Sequence, residues 1–196
     1  MTTNLAIIVG KTFSGKTTMV NKIIKEMPKT YKVTTHTTRP MRPTEDFMAY
    51  WWESEDGLEK RLNSSQEILA MRKYDTEFGK WTYWTEVEDL VPNEDNIMIL
   101  DLDGARDIYT KLQMNNEYHV EVYYLATSLD VIRERAVNSE RGKTESPDET
   151  ERRIQSDIED FYDLDKALEA NGIEYKGQLV KLSEQINYTG LVTRYG

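Results

Sequence analysis

Apolar residues in this chain come in short blocks. Leu5-Ala-Ile-Ile-Val9 runs directly into Gly10, the pattern of a strand buried on both faces that feeds a loop. From Thr18 to Met27 the interval changes: Met19, Val20, Ile23, Ile24 and Met27 fall at helical spacing, and Pro28 closes the segment. Ile97-Met-Ile-Leu100 and Val120-Glu-Val-Tyr-Tyr-Leu125 predict two more buried strands. Leu129 to Val137 predicts a short helix, Asn138 to Pro147 is charged and turn-prone, and Asp148 to Leu168 predicts one long helix with Pro147 at its start. The stretch Thr34 to Glu94 breaks the rhythm. Polar and aromatic residues alternate there around Tyr50-Trp51-Trp52 and Trp81-Thr-Tyr-Trp84, so it predicts an inserted lobe instead of another strand–helix repeat. Beyond Asn171 only Ile173 to Tyr175 and Gln178 to Leu182 show a pattern, and the tail stays unassigned.

Composition narrows the partners. A chain of 196 residues suits one folding unit with room for an inserted flap. With 35 acidic and 25 basic residues the net charge is −10, which repels phosphate polymers at long range, so no nucleic acid polymer is expected as a partner. A small phosphorylated substrate stays open, because a few clustered arginines dominate the field inside a cleft. The absence of cysteine excludes disulfides, thiolate catalysis and cysteine zinc sites. Neither a signal-peptide pattern nor a run long enough to span a membrane is found, so a cytoplasmic protein without membrane attachment is expected.

Gly10-Lys11-Thr12-Phe13-Ser14-Gly15-Lys16-Thr17 satisfies G-x-x-x-x-G-K-[ST] between an apolar strand and a helix, where that motif belongs. Glycines let the backbone approach phosphates, main-chain N–H groups and the helix N-terminus supply partial positive charge, and Lys16 adds a full one. Thr17 offers a hydroxyl to a nucleotide-bound Mg2+, and Thr18 continues the loop into the helix. Lys11 and Ser14 are expected to contribute backbone donors only. Ile97 to Leu100 followed by Asp101 has the form of a Walker B strand whose carboxylate approaches the metal, with a solvated Asp-Leu-Asp turn as the alternative.

The stretch Thr35-His-Thr-Thr-Arg39-Pro-Met-Arg42-Pro-Thr-Glu45, followed by Tyr50, resembles the guanylate kinase family's T-T-R-x-x-R-x-x-E and tyrosine, with the gap to Tyr50 one residue short. Phe78 to Thr85 is similar to that family's F-G-N-Y-Y-G-T-S element, with Trp81 in place of the first tyrosine and Tyr83 in place of the glycine. Packing of the lobe and contact with a ligand are both open for this aromatic cluster. Leu100 to Ala105 resembles L-D-I-D-x-Q-G-A with two residues deleted. Arg135, Arg141-Gly-Lys-Thr-Glu145 and Arg153-Ile154 resemble the arginines of the family's lid, Arg152 being an adjacent alternative. The likeness covers about residues 5 to 165, and the family's final strand is not recognisable in the tail.

The resemblance implies an α/β P-loop NTPase fold of three layers. Residues 1–33 and 95–196 would form the core, with a lid at about 138–152, and 34–94 a monophosphate-binding lobe. It implies an ATP-dependent nucleoside monophosphate kinase acting on GMP or dGMP with Mg2+, as a monomer or weak homo-oligomer. Lys16, Arg39, Arg42, Arg135, Arg141 and Arg153 would carry catalysis. Thr35, Arg39, Arg42, Tyr50, Trp81 and Asp103 would hold the monophosphate, and Thr17 and Asp101 the metal. Lys73 stands opposite the family's guanine-binding glutamate, and a lysine accepts no hydrogen bond from guanine. A pyrimidine or modified deoxynucleotide is therefore an alternative acceptor, and a non-catalytic interaction module is a further one. Phosphoryl transfer to an ionised phosphate needs no strong base, so His36 and His119 are expected to be structural.

Overall fold

In the computed structural model, residues 2–42, 45–76, 79–139, 142, 143 and 146–182 are described. The first apolar run becomes β1 (Thr3–Val9), and α1 (Lys16–Glu26) follows the glycine loop. Strands β7 (Asp95–Ile99) and β8 (Tyr118–Thr127) flank β1 in parallel, β2 (Thr30–Lys32) extends the β7 edge in parallel, and β9 (Lys176–Lys181) adds antiparallel to β8. The resulting sheet has the order β2-β7-β1-β8-β9. Alternate residues of β1 serve two cores. Ile8 packs with Val20 and Ile97 on the α1 side, while Leu5, Ile7 and Val9 pack with Ala105, Ile108, Leu164 and Leu168 on the other. Those partners come from α3 (Leu102–Leu112) and α6 (Tyr162–Ala170), so helices cover both faces in three layers, as a parallel sheet requires.

A second sheet arises wholly within residues 36–86. Its strands β3 (His36–Thr37), β4 (Trp51–Trp52), β5 (Ile68–Thr76) and β6 (Gly79–Glu86) take the order β4-β3-β6-β5. Helix α2 (Glu55–Leu62), capped by the Ser54 hydroxyl on the Gly57 amide at 3.0 Å, buries only Leu58. One face of the sheet holds His36 stacked on Trp84 and hydrogen-bonded to Asp89 at 3.1 Å. His36 is thus buried and structural, and His119 lies exposed beside Glu121.

Three sequence expectations change. The predicted helix from Asp148 to Leu168 is two helices, α5 (Pro147–Asp160) and α6, separated at Phe161, whose buried ring stacks on Tyr124. Helix α3 was not anticipated, although Leu102, Ala105, Ile108 and Leu112 have helical spacing and the Asp101 carboxylate caps it on the Gly104 amide at 2.7 Å. The tail without an assignment contains β9. Helix α4 (Leu129–Asn138) matches its expectation closely.

Asn96 joins the return loop to the sheet. It is 1% exposed, donates to the carbonyls of Asn4, Val91 and Glu94, and accepts from the Val91 amide at 2.8 Å. Asn96→Ala leaves these groups buried without a partner, and urea denaturation is expected to show a loss of ~1–3 kcal/mol.

Candidate functional site

The two sheets meet across an open crevice of about 2470 Å3. One wall is the glycine loop at the carboxyl end of β1, and the other is the lobe face carrying Arg39, Arg42 and Tyr50. Thr35, Trp81, Asp101, Asp103, Arg135 and Arg153 line the same space. Among the described residues every expected site residue borders this crevice except Lys11. Arg141 lies outside the described residues.

The loop is built on unusual backbone. Phe13 has φ 56 and Gly15 φ 100, both left-handed. Phe13 holds that conformation because its ring packs against Ile132, Ala136 and Ile154, wedging the loop between α4 and α5. At Gly15 a β-carbon would also meet the Arg135 guanidinium at 2.9 Å. Lys16 folds over the loop and donates to the carbonyls of Gly10 at 2.6 Å and Lys11 at 2.9 Å. Arg135 donates to the Ser14 carbonyl at 2.5 Å, which also accepts from the Thr127 hydroxyl. The hydroxyls of Thr12 and Ser14 are buried and have no hydrogen-bond partner within the described protein.

Two carboxylates reach the loop from the helices after the lid stretch. Asp157 of α5 accepts from the Thr12 amide, and Asp165 of α6 accepts from the Lys11 ammonium at 2.5 Å. Burial pushes the Asp157 carboxyl above its ordinary value, against the Thr12 amide and the charges of Lys16, Arg153 and Lys11. Burial and the neighbouring Asp157, Asp103 and Asp101 raise Asp160 as well.

On the lobe, Arg39 is 8% exposed and much of its fork is committed. It donates to Glu45 at 2.7 and 2.9 Å, to the Pro40 carbonyl and, through Nε, to the Tyr83 hydroxyl at 2.9 Å. Tyr50 and Trp52 lie 5.5 and 5.2 Å from its guanidinium, a cation–π arrangement. Burial raises the Glu45 carboxyl, but the Arg39 guanidinium and the Arg42 amide outweigh it and hold the group below its ordinary value. Arg42 is exposed to the crevice, with its amide tied to Glu45 at 2.9 Å.

Sequence reasoning missed Tyr74 and Arg72 and left Tyr83 between packing and ligand contact; all three border the crevice on β5 and β6. The register pairs Arg72 with Tyr83 and Tyr74 with Trp81, and Lys73 between them also borders the crevice. Tyr74 donates to the Asp101 carboxylate, and Arg72 pairs with Asp107 at 2.9 Å. Burial and the Asp101 charge push the Tyr74 hydroxyl well above its ordinary value, so it stays a donor. The alternation that exposes these residues could have been read from the strand pattern once the partner strand was known.

Thr17 and Asp101 offer hard oxygen ligands on the crevice wall. Each Asp101 oxygen is already bonded once and retains a further lone pair. Among the described residues no group of three or more His, Asp or Glu could cage an ion. The donors fit a Mg2+ carried mainly by nucleotide phosphates, which keeps most of its ligands from phosphate and water.

A glycine loop with its lysine, set at the carboxyl end of a parallel sheet opposite an arginine-bearing lobe, defines a P-loop NTPase fold. The profile described as guanylate kinase matches residues 2–186, past the point where the motifs alone fade. A guanylate kinase of Paraburkholderia xenovorans is 28% identical over 143 residues, covering 72% of this chain and 60% of that protein. One from Legionella pneumophila (strain Paris) is 27% identical over 169 residues, covering 83% and 76%. The crystal structure of guanylate kinase from Anaplasma phagocytophilum shares the fold with a TM-score of 0.50 at 17% identity, covering 68% of this chain and 66% of that one. Two of these matches thus span less than two thirds of the relative's length. The chain belongs to the guanylate kinase family.

The raised Asp157 pKa has a consequence for stability. A carboxyl whose pKa is higher folded than unfolded penalises the fold wherever both states are ionised, and the penalty fades as pH falls through the folded pKa. Asp157→Asn keeps an acceptor for the Thr12 amide. It is expected to melt above the wild type at neutral pH, with the gain shrinking on acidification in a series of thermal melts.

Proposed function

We propose that this chain is an ATP-dependent nucleoside monophosphate kinase that transfers the γ-phosphoryl group of ATP to GMP or dGMP. The observation that carries the reading is the single crevice with Lys16 and the glycine loop on one wall and Arg39, Arg42 and Tyr50 on the other. Two anion sites facing one another are what direct transfer requires, and a hydrolase has no need of the second.

The loop amides and Lys16 would hold the donor phosphates. Arg42 and the Tyr50 hydroxyl would hold the acceptor phosphate, with Arg39 presenting the N–H not taken by Glu45, Pro40 and Tyr83. Thr17 and Asp101 would hold Mg2+, which supplies charge neutralisation on the phosphate oxygens. Arg135 and Arg153, approaching from α4 and α5, would offset charge on the transferring group. The acceptor phosphate is largely ionised near neutral pH, so no residue need remove a proton. Approach of the lobe and the lid stretch would exclude water and suppress hydrolysis.

Thr35 and Asp103 would accept from guanine N1–H and N2–H. A second reading, an acceptor with a different base, is favoured by β5, which offers Arg72, Lys73 and Tyr74 to the crevice and no carboxylate. A panel of ribo- and deoxynucleoside monophosphates in a coupled ATP-consumption assay separates the two. Turnover with GMP or dGMP well above all others supports the first, and preference for a pyrimidine supports the second.

Lys16→Ala and Arg42→Ala are each expected to lower turnover by roughly 10²-fold or more while circular dichroism stays native. Near-normal rates in both variants would refute the assignment.

A further inference from the structure

Lys11 stands second in the phosphate loop, yet its ammonium points away from the crevice. The side chain is 4% exposed, and Nζ donates to the Tyr124 hydroxyl at 2.7 Å and to Asp165 at 2.5 Å. The rings of Tyr124, Phe161 and Tyr175 lie 5.4, 5.4 and 5.8 Å from it. Asp165 also accepts from Tyr124 at 2.8 Å and from Tyr175 at 3.1 Å. Burial and the Asp165 charge push both tyrosine hydroxyls above their ordinary values, so each remains a donor. One ammonium and one carboxylate are therefore satisfied by side chains from the loop, β8, α6 and the segment leading into β9.

A buried ion pair is seldom the most stable way to fill a core, since well-packed apolar residues often do as well. What the pair supplies is direction. It fixes the Lys11 backbone, and the carbonyls of Gly10 and Lys11 are the two that Lys16 Nζ bonds. The next residue is pinned as well, through the Thr12 amide on Asp157. Where the ammonium of Lys11 is held thus sets where the ammonium of Lys16 rests.

We propose that Lys11 and Asp165, oriented by Tyr124 and Tyr175, are positioning residues that hold the phosphate loop and Lys16 in register for the donor triphosphate. The proposal rests on the kinase reading above, and it gives the segment before β9 a task at the far side of the loop from the ligand. Tyr175 belongs to the site through Asp165 without touching a substrate.

Calorimetry of the full chain with ATP, alongside steady-state kinetics, tests this. Lys11→Met and Asp165→Asn keep the shapes and remove the charge pairing. Each is expected to weaken ATP binding by about tenfold, the value of one charge-assisted hydrogen bond, with KM for the monophosphate unchanged. The double variant should be no worse than the weaker single. Unchanged ATP affinity in folded variants would make the pair merely structural and overturn the proposal. Tighter ATP binding by Asp165→Asn would also overturn it, because Lys11 would then be a phosphate ligand held in reserve. Should Lys11→Met fail to fold, Tyr175→Phe decides, with a two- to threefold weakening expected for the loss of one neutral donor. A wild type that binds no ATP removes the kinase reading and this proposal together. A wild type that binds ATP and phosphorylates a monophosphate while the variants bind equally well removes this proposal alone.

Discussion

A loop of eight residues between a buried strand and a helix cannot hold itself in shape. Between Gly10 and Thr17 the internal bonds include the Ser14 amide on the Lys11 carbonyl and two that Lys16 makes. Much of the support is external: Thr127 and Arg135 on the Ser14 carbonyl, Asp157 on the Thr12 amide, Asp165 on Lys11, and α4 and α5 around Phe13. Two of these contacts come from arginine and aspartate side chains that also border the crevice. Loop shape and the charge balance of the crevice are consequently one problem, and the elevated pKa of Asp157 is where that problem is visible.

The lobe solves a related difficulty. A guanidinium that faces a crevice must keep its orientation in a protein whose net charge is −10, where carboxylates compete for it. Arg39 is stacked over aromatic rings and neutralised by Glu45, which fixes its plane at the cost of most of its donors. Arg42 is exposed on the crevice wall, and its backbone amide is tied to Glu45. One arginine is buried and the other exposed, a division the motif spacing does not reveal.

The strand–loop–helix at Leu5 to Met27 and the strands at Ile97 and Val120 were legible because burial on both faces writes itself as continuous apolar runs. The arginine loop was legible because its residue types and spacing are specific. Apart from α3, whose helical spacing is present in the sequence, what was missed had little one-dimensional signature. β2 is three largely exposed residues on a sheet edge, and α2 buries one leucine. Tyr74 and Tyr83 became site residues only when the β5–β6 register and the neighbouring Arg39 fixed which face they share. Lys11 carried the opposite lesson. A lysine in a phosphate loop invites a nucleotide role, and only the position of Tyr124, over a hundred residues away in sequence, shows its charge directed inward.

The break at Phe161 has a geometric meaning. In an unbroken helix the eight steps from Asp157 to Asp165 span about 12 Å along the axis, while Lys11 and Thr12, which the two aspartates hold, are adjacent. Ending α5 and restarting α6 around an aromatic ring lodged on Tyr124 lets one helical stretch approach neighbouring residues from two directions, with the lysine stem bridging what distance remains. The interval between the two aspartates is therefore as constrained as the interval between the glycines of the loop. A single residue gained or lost there would turn one carboxylate about 100° away from its contact, so this stretch is closed to length variation although none of the expected site residues lies within it.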